Sequence, residues 1–134
     1  MVTQYLLDTN AWIHYLKDPT SSIRARLATI SPRQVVTCSV VLSELLHGAE
    51  KYGNRIQRVG IIKSLLAPFP CLPFDEVDAN VYASIRHDLE LNGQVIGPYD
   101  LQIAAICLRH GFVLVTNNDS EFSRVSGLMV EDWS

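Results

Sequence analysis

The chain has 134 residues, 48% of them apolar and 19% charged, with a formal net charge of −3 at pH 7. This is the size and composition of one domain, residues 1–134, able to bury a real core. No apolar run approaches the roughly 20 residues that span a bilayer, and the start lacks the pattern of a signal peptide. The expectation is therefore a cytoplasmic protein with no membrane partner. The net charge conceals an asymmetry. Residues 1–66 hold eight Lys/Arg and four acids, or +4, while residues 67–134 hold three and ten, or −7. Such a split allows a basic face for phosphates beside an acidic cluster.

In chain order, Tyr5-Leu6-Leu7 runs into Asp8-Thr9-Asn10. Three large apolar residues followed by a carboxylate predict a buried strand that delivers Asp8 to the open end of a sheet. Thr9 or Asn10 is placed to cap a helix that starts near Ala11 and stops before Pro19. A second helix, Ile23 to Ile30, is capped by Thr20, Ser21 or Ser22, and Gln34 to Cys38 is a second strand. Ser39 is the expected cap of a helix through Val40 to His47 that continues to Gly53. Arg55 to Leu66 reads as an amphipathic helix, basic on one side. Leu72 to Phe74 is a short strand, put at an edge by Pro70 and Pro73. Asp75 caps a long helix, Val77 to Leu91. Pro98 opens a helix to Arg109 that is apolar almost all round and hence buried. Val113 to Thr116 is a strand, Asn117 to Glu121 a polar loop, and Leu128 to Val130 a last strand. Cys38, Cys71 and Cys107 are widely spaced among apolar neighbours and read as reduced core thiols. Alternating strands and helices predict an α/β/α sandwich with a short parallel sheet of four to five strands.

Each acid has an ordinary structural reading. Asp8 can satisfy turn amides, Glu44 can snorkel from its helix, and Asp100 in a first helical turn gains from the helix dipole. Asp119 and Glu121 can be loop solvation. Their placement together carries more. Asp8, Asp119 and Glu121 follow strands while Glu44 and Asp100 sit in helices after loops, so a parallel sheet gathers all of them along one edge. Crowded carboxylates raise one another's pKa unless a cation compensates. Hard oxygen donors with no His or Cys cluster suit Mg²⁺ or Mn²⁺. Thr9, Asn10, Thr116 and Asn117 are donors of a kind that orients carboxylates, and each is equally a turn former. None of the four histidines is required, and His47 is expected on the surface.

Four blocks, in order, resemble a known family: Leu7-Asp8-Thr9-Asn10, Ser39 to Ala49, Ile96 to Ala105, and Leu114 to Phe122. They are similar to those of PIN-domain ribonucleases of the VapC toxin type, and the resemblance covers essentially the whole chain. It implies a Mg²⁺- or Mn²⁺-dependent endoribonuclease that inhibits translation by cutting transfer or ribosomal RNA. It also implies restraint by a VapB-type antitoxin and a homodimeric state, which the two amphipathic helices at Ile23 and Arg55 would serve. Asp8, Glu44 and Asp100 match the family's acidic positions, with Asp8 and Asp100 as metal ligands. The fourth acid is Asp119 or Glu121. Asp119 fits a Thr-x-x-acid pattern and is preferred here.

Other readings are weaker. A haloacid-dehalogenase-type phosphatase needs a second Asp where this chain has Asn10. A phosphoacceptor receiver needs paired acids and a late Lys, and no Gly-rich nucleotide loop exists. A catalytically silent module of the same fold, or a housekeeping RNA-processing nuclease, would keep the architecture and change the biology.

Overall fold

The computed structural model describes residues 2–51 and 53–134. Its strands are Tyr5–Leu7 (β1), Val35–Cys38 (β2), Cys71–Leu72 (β3), Val113–Val115 (β4) and Met129–Glu131 (β5). The helices are Thr9–Lys17 (α1), Ser22–Ala28 (α2), Ser39–Glu50 (α3), Arg55–Leu66 (α4), Glu76–Leu91 (α5), Pro98–His110 (α6) and Asp119–Phe122 (α7). A single 3₁₀ turn, Pro32–Gln34, leads into β2.

The strands form one sheet in the order β3-β2-β1-β4-β5, and every pairing is parallel. Leu6 lies opposite Val36 on one side and Leu114 on the other, so β1 is the centre of the sheet. The central strands β2 and β4 are buried throughout, as unbroken apolar runs in a covered parallel sheet should be. The edges differ. β3 is two residues long beside Pro70 and Pro73, which is the edge placement that those prolines predict. The strand order reverses direction between β1 and β4, which makes the gap above their carboxyl ends the place where an open α/β sheet receives ligands.

Helix α6 fills the core. Pro98 starts it, Ile103 to Cys107 are wholly buried, and Gly111 ends it in the left-handed conformation at φ 73°, its N–H bonded to Cys107 O. Trp12 on α1 is also buried, with ring contacts to Tyr15 and Phe69. Truncating such a side chain to Ala costs about 3–5 kcal/mol. A polar clamp joins α5 to α6. Asp75 caps α5 in a reciprocal box with Asp78, and the Arg109 guanidinium lies 3.3 Å from Asp75 and 3.8 Å from the fully buried Asp78. Losing Arg109 would leave a buried carboxylate without a countercharge, a change of about 3–5 kcal/mol.

Several local expectations are corrected. Asp8 itself caps α1, accepting from Ala11 N–H at 2.8 Å, because Thr9 and Asn10 already belong to the helix. Of the three caps offered for α2, Ser21 is the one used, as the sequence allowed. Cys38, not Ser39, precedes α3, with no side-chain cap bond, since a thiol is a poor substitute for a hydroxyl. That helix ends at Glu50 and not at Gly53, and Tyr52 in the stretch between lies outside the described residues. Cys71 is exposed, because its edge strand has only one neighbour to cover it, while Cys38 and Cys107 are core thiols as expected. The loop after β4 contains the short helix α7. Helices α2 and α4 turn Ile23, Ile62 and Leu66 inward, so the core uses much of the apolar surface that was assigned to self-association. Ile56 and Ile61 of α4 remain exposed. Among the described residues no helix is long and apolar enough to cross a membrane.

Candidate active site

Asp8 leaves the carboxyl end of β1 with its backbone N–H bonded to Val115 O at 3.0 Å, which fixes it over the switch point. Its side chain is buried, and burial pushes its carboxyl above the usual range. The Thr116 hydroxyl and the Ala11 amide oppose that shift, while Glu44 and Asp132 add to it. Asp100, in the first turn of α6, is half-buried and pushed up to about 6. Burial is the main cause, followed by the charges of Glu121, Asp8 and Glu44 in that order. The charges of Asp8 just after β1, Glu44 on α3 and Glu121 on α7 therefore all act on Asp100 of α6. Among the described residues no Lys or Arg forms an ion pair with any of them.

Neighbouring hydroxyls and amides aim two of these acids. The Thr9 hydroxyl donates to Glu44 Oε1 at 2.7 Å. Asn118 Nδ2 donates to Glu121 Oε2 at 2.7 Å, and the Gly97 amide reaches Glu121 Oε1 at 3.4 Å. Thr116 is buried between the two sides of the site: its hydroxyl lies beside Asp8 and accepts the Asn118 N–H at 3.0 Å. Asn10 is exposed at the mouth of the site, and Asn117 is exposed.

The two candidates for the fourth acid have different surroundings. Glu121 is half-buried, hydrogen-bonded from two directions and the leading charge on Asp100. Asp119, the residue preferred from the sequence, is exposed at the start of α7, and its charge is not among those that act on Asp100. Within α7, the fully buried Phe122 sets the rotation of the turn and so fixes where its neighbour Glu121 sits. The spacing of Asn118 and Glu121, one helical turn apart, was the available signal. Asp132, just beyond β5, is a further acid in the field of Asp8 that the sequence did not single out; Ser134 holds it through its amide and hydroxyl.

A model of the PIN domain matches residues 5–128. The chain is 35% identical to the tRNA(fMet)-specific endonuclease VapC of Shigella flexneri, over 98% of each protein. It belongs to the VapC branch of the PIN-domain family. Ribonuclease VapC2 of Haemophilus influenzae is 32% identical, over 97% of this chain and 98% of the relative. Among solved structures, a chain of the DNA-bound VapBC complex of Salmonella typhimurium superposes with a TM-score of 0.92 at 32% identity, covering 99% of this chain and 100% of that one. The α/β/α architecture expected of a PIN domain of this branch is the one observed.

Whether a divalent ion fits this PIN-domain site is a question of donors and spacing. Among the described residues no three His, Cys, Asp or Glu side chains are grouped closely enough to cage a metal by themselves. Mg²⁺ does not require such a cage, since it keeps several waters and takes one or two carboxylates together with substrate phosphate. Oxygen-only donors, the charges that converge on Asp100 and the lack of a paired cation among the described residues make the set suitable for that ion.

Proposed function

We propose that the chain is a Mg²⁺- or Mn²⁺-dependent endoribonuclease, the toxin of a type II toxin–antitoxin pair, which hydrolyses phosphodiester bonds in RNA and so inhibits translation. The observation that carries this reading is the convergence of the charges of Glu121, Asp8 and Glu44 on Asp100 at the switch point of a VapC-type PIN fold. Transfer RNA is the substrate class favoured, because relatives from Shigella flexneri and Salmonella typhimurium are named for cleavage of tRNA(fMet). A VapB-type antitoxin is the proposed partner, on the ground that similar chains were solved within VapBC complexes. A homodimer, implied by the family, is kept as a proposal that a mass measurement by light scattering decides.

In this mechanism Asp8 and Asp100 would hold the ion, with Glu44 and Glu121 turned toward it by Thr9 and Asn118. When bound, the ion supplies a more acidic water and offsets charge that develops on the phosphate. Asp8 is held rigidly by its role as the cap of α1, so its carboxylate is oriented before substrate arrives. The Thr116 hydroxyl favours the charged form of Asp8, against the larger effect of burial, which favours a proton. The half-buried Asp100 carboxyl has the same need of a cation.

The test is to incubate the purified chain with bulk tRNA in Mg²⁺, in Mn²⁺ and in excess EDTA, and to map the new RNA ends. Discrete ends that appear with metal and vanish in EDTA are expected. Full cleavage in EDTA would remove the metal from the mechanism, and absence of cleavage in every condition would remove the nuclease.

A further inference from the structure

Glu44, one of the four carboxylates, lines an open groove of about 820 Å³ that runs between α1, α3 and α4. Thr9 and Glu44 mark one end of it, joined by their hydrogen bond, and the two helices lead away from there to Lys17 and Lys51. At 1.5 Å of rise per residue, these lysines lie roughly 10 Å further along the helix axes. Arg58 on α4 lines the same groove, its Nε donating to Gly53 O at 2.9 Å. Among the described residues three cations line the groove against one carboxylate, Glu44, over an apolar floor that includes Ile13, Leu16, Leu45 and Ile62. This is the spatial form of the positive balance that the sequence shows over residues 1–66. Lys17 and Lys51 are exposed and have no ion pair among the described residues. At the acidic end stands Tyr99, beside Asp100 in the first turn of α6, with 61% of its surface exposed. A large ring left this open next to a reactive centre is a stacking platform.

We propose that this groove is the path of the RNA strand: Lys17, Lys51 and Arg58 neutralise phosphates on one side of the scissile bond, and Tyr99 stacks on a base beside it. The inference rests on the ribonuclease reading and adds to it a direction for the strand. A polyanion is the occupant that the charges select. Cations and an exposed aromatic ring along one groove are the means by which proteins bind single strands without reading sequence. The groove therefore supplies affinity and alignment, while the acids remain a separate region where a phosphodiester meets the metal. The strand must be single, because a duplex cannot place one backbone in the groove and one base on Tyr99.

The experiment uses the Asp8→Asn chain, in which Asn keeps the cap of α1 and cleavage is suppressed. A fluorescein-labelled single-stranded oligoribonucleotide of mixed sequence is titrated at several salt concentrations and followed by anisotropy. Lys17→Gln, Lys51→Gln and Arg58→Gln should each weaken binding and reduce the slope of log K against log salt by about 0.7. Arg58→Lys should keep the slope, which separates charge from local structure. Tyr99→Ala should weaken binding about ten-fold at every salt concentration without changing the slope, and Tyr99→Phe should restore it. If the variants bind as the parent does while the unmodified chain cleaves RNA, the strand takes another route and only this inference is overturned. If they bind RNA normally and instead lose a VapB-type antitoxin, the groove is a protein seat and the inference is likewise overturned. If the Asp8→Asn chain does not bind RNA and the unmodified chain does not cleave it, the ribonuclease reading is overturned as well.

Discussion

The Thr9 hydroxyl donates a 2.7 Å hydrogen bond to Glu44 Oε1, tying the first turn of α1 to the middle of α3. Thr9 follows the acid that caps α1, so the bond relates Asp8 and Glu44 through two rigid elements. Replacing the hydroxyl with a methyl leaves packing nearly unchanged and releases the Glu44 carboxylate. Thr9→Val should therefore reduce kcat by about ten-fold or more, with little change in melting temperature, and Thr9→Ser should recover most of it. Normal turnover by Thr9→Val in a tRNA cleavage assay would mean that Glu44 needs no guide.

Glu121 and Asp119 are separated by one residue and by their surroundings. Glu121→Gln should reduce cleavage strongly, and Asp119→Asn should leave it within about two-fold, an expectation derived from the coupling of Glu121 to Asp100. Asn118→Ala should fall between the two, because it removes the 2.7 Å donor and keeps the carboxylate. Initial rates for the three variants under saturating Mg²⁺ decide the order. Loss of activity in Asp119→Asn alone would return the fourth role to that residue.

These two sites show where the sequence was informative. The buried strands and α6 were legible because a covered parallel sheet demands unbroken apolar runs, and Pro98 and Gly111 mark the ends of the helix chemically. That Asp8, Glu44 and Asp100 come near one another was legible because each lies just after a strand end or on the helix that follows a loop. The choice between Asp119 and Glu121 was not. It depends on the rotation of a four-residue helix, too short for any periodicity, that is set by Phe122 entering a core assembled from distant segments. The cap of α1 failed for a related reason: Asp, Thr and Asn are all good caps, and only the hydrogen bond to Val115 O places the helix start after Asp8. The hydrophobic faces of α2 and α4 were visible in the sequence, but whether they meet the core or a partner is a matter of tertiary packing.

The raised carboxyls make stability depend on pH in a defined direction. Asp100 titrates near 6 in the folded chain, through burial first and then through Glu121, Asp8 and Glu44, which is above its unfolded value. Between about pH 4 and 6 the folded state thus binds more protons, so stability falls as pH rises through that window and stays lower above it. Asp8 is shifted the same way. In EDTA, Asp100→Asn should melt a few degrees higher than the parent at pH 7 and should match it near pH 4. The effect is small because Asp100 is only half-buried and solvent screens it. Thermal melts of both proteins across the range test this, and a difference that does not vary with pH would show that the charge on Asp100 is already compensated.

The same uncompensated charge indicates how a partner would silence the site. Four carboxylates with no ion pair among the described residues are most simply blocked by a cation brought in on another chain. We expect an antitoxin segment that is disordered alone to lie over Asp8, Glu44, Asp100 and Glu121 and to place an Arg or Lys among them. A guanidinium can pair with two carboxylates at once, which both fixes register and competes with a divalent ion. The segment must become ordered to do this, so much of its interaction energy is spent on ordering, and apolar contacts on its flanks should supply most of the net affinity. Charge then excludes the metal more than it adds binding energy. Replacing each basic residue of the antitoxin near these acids with Gln should leave the complex assembled by size-exclusion chromatography and restore tRNA cleavage for at least one position. If every such complex stays intact and silent, the partner acts by steric cover, and the vacant charge of the site has no part in its inhibition.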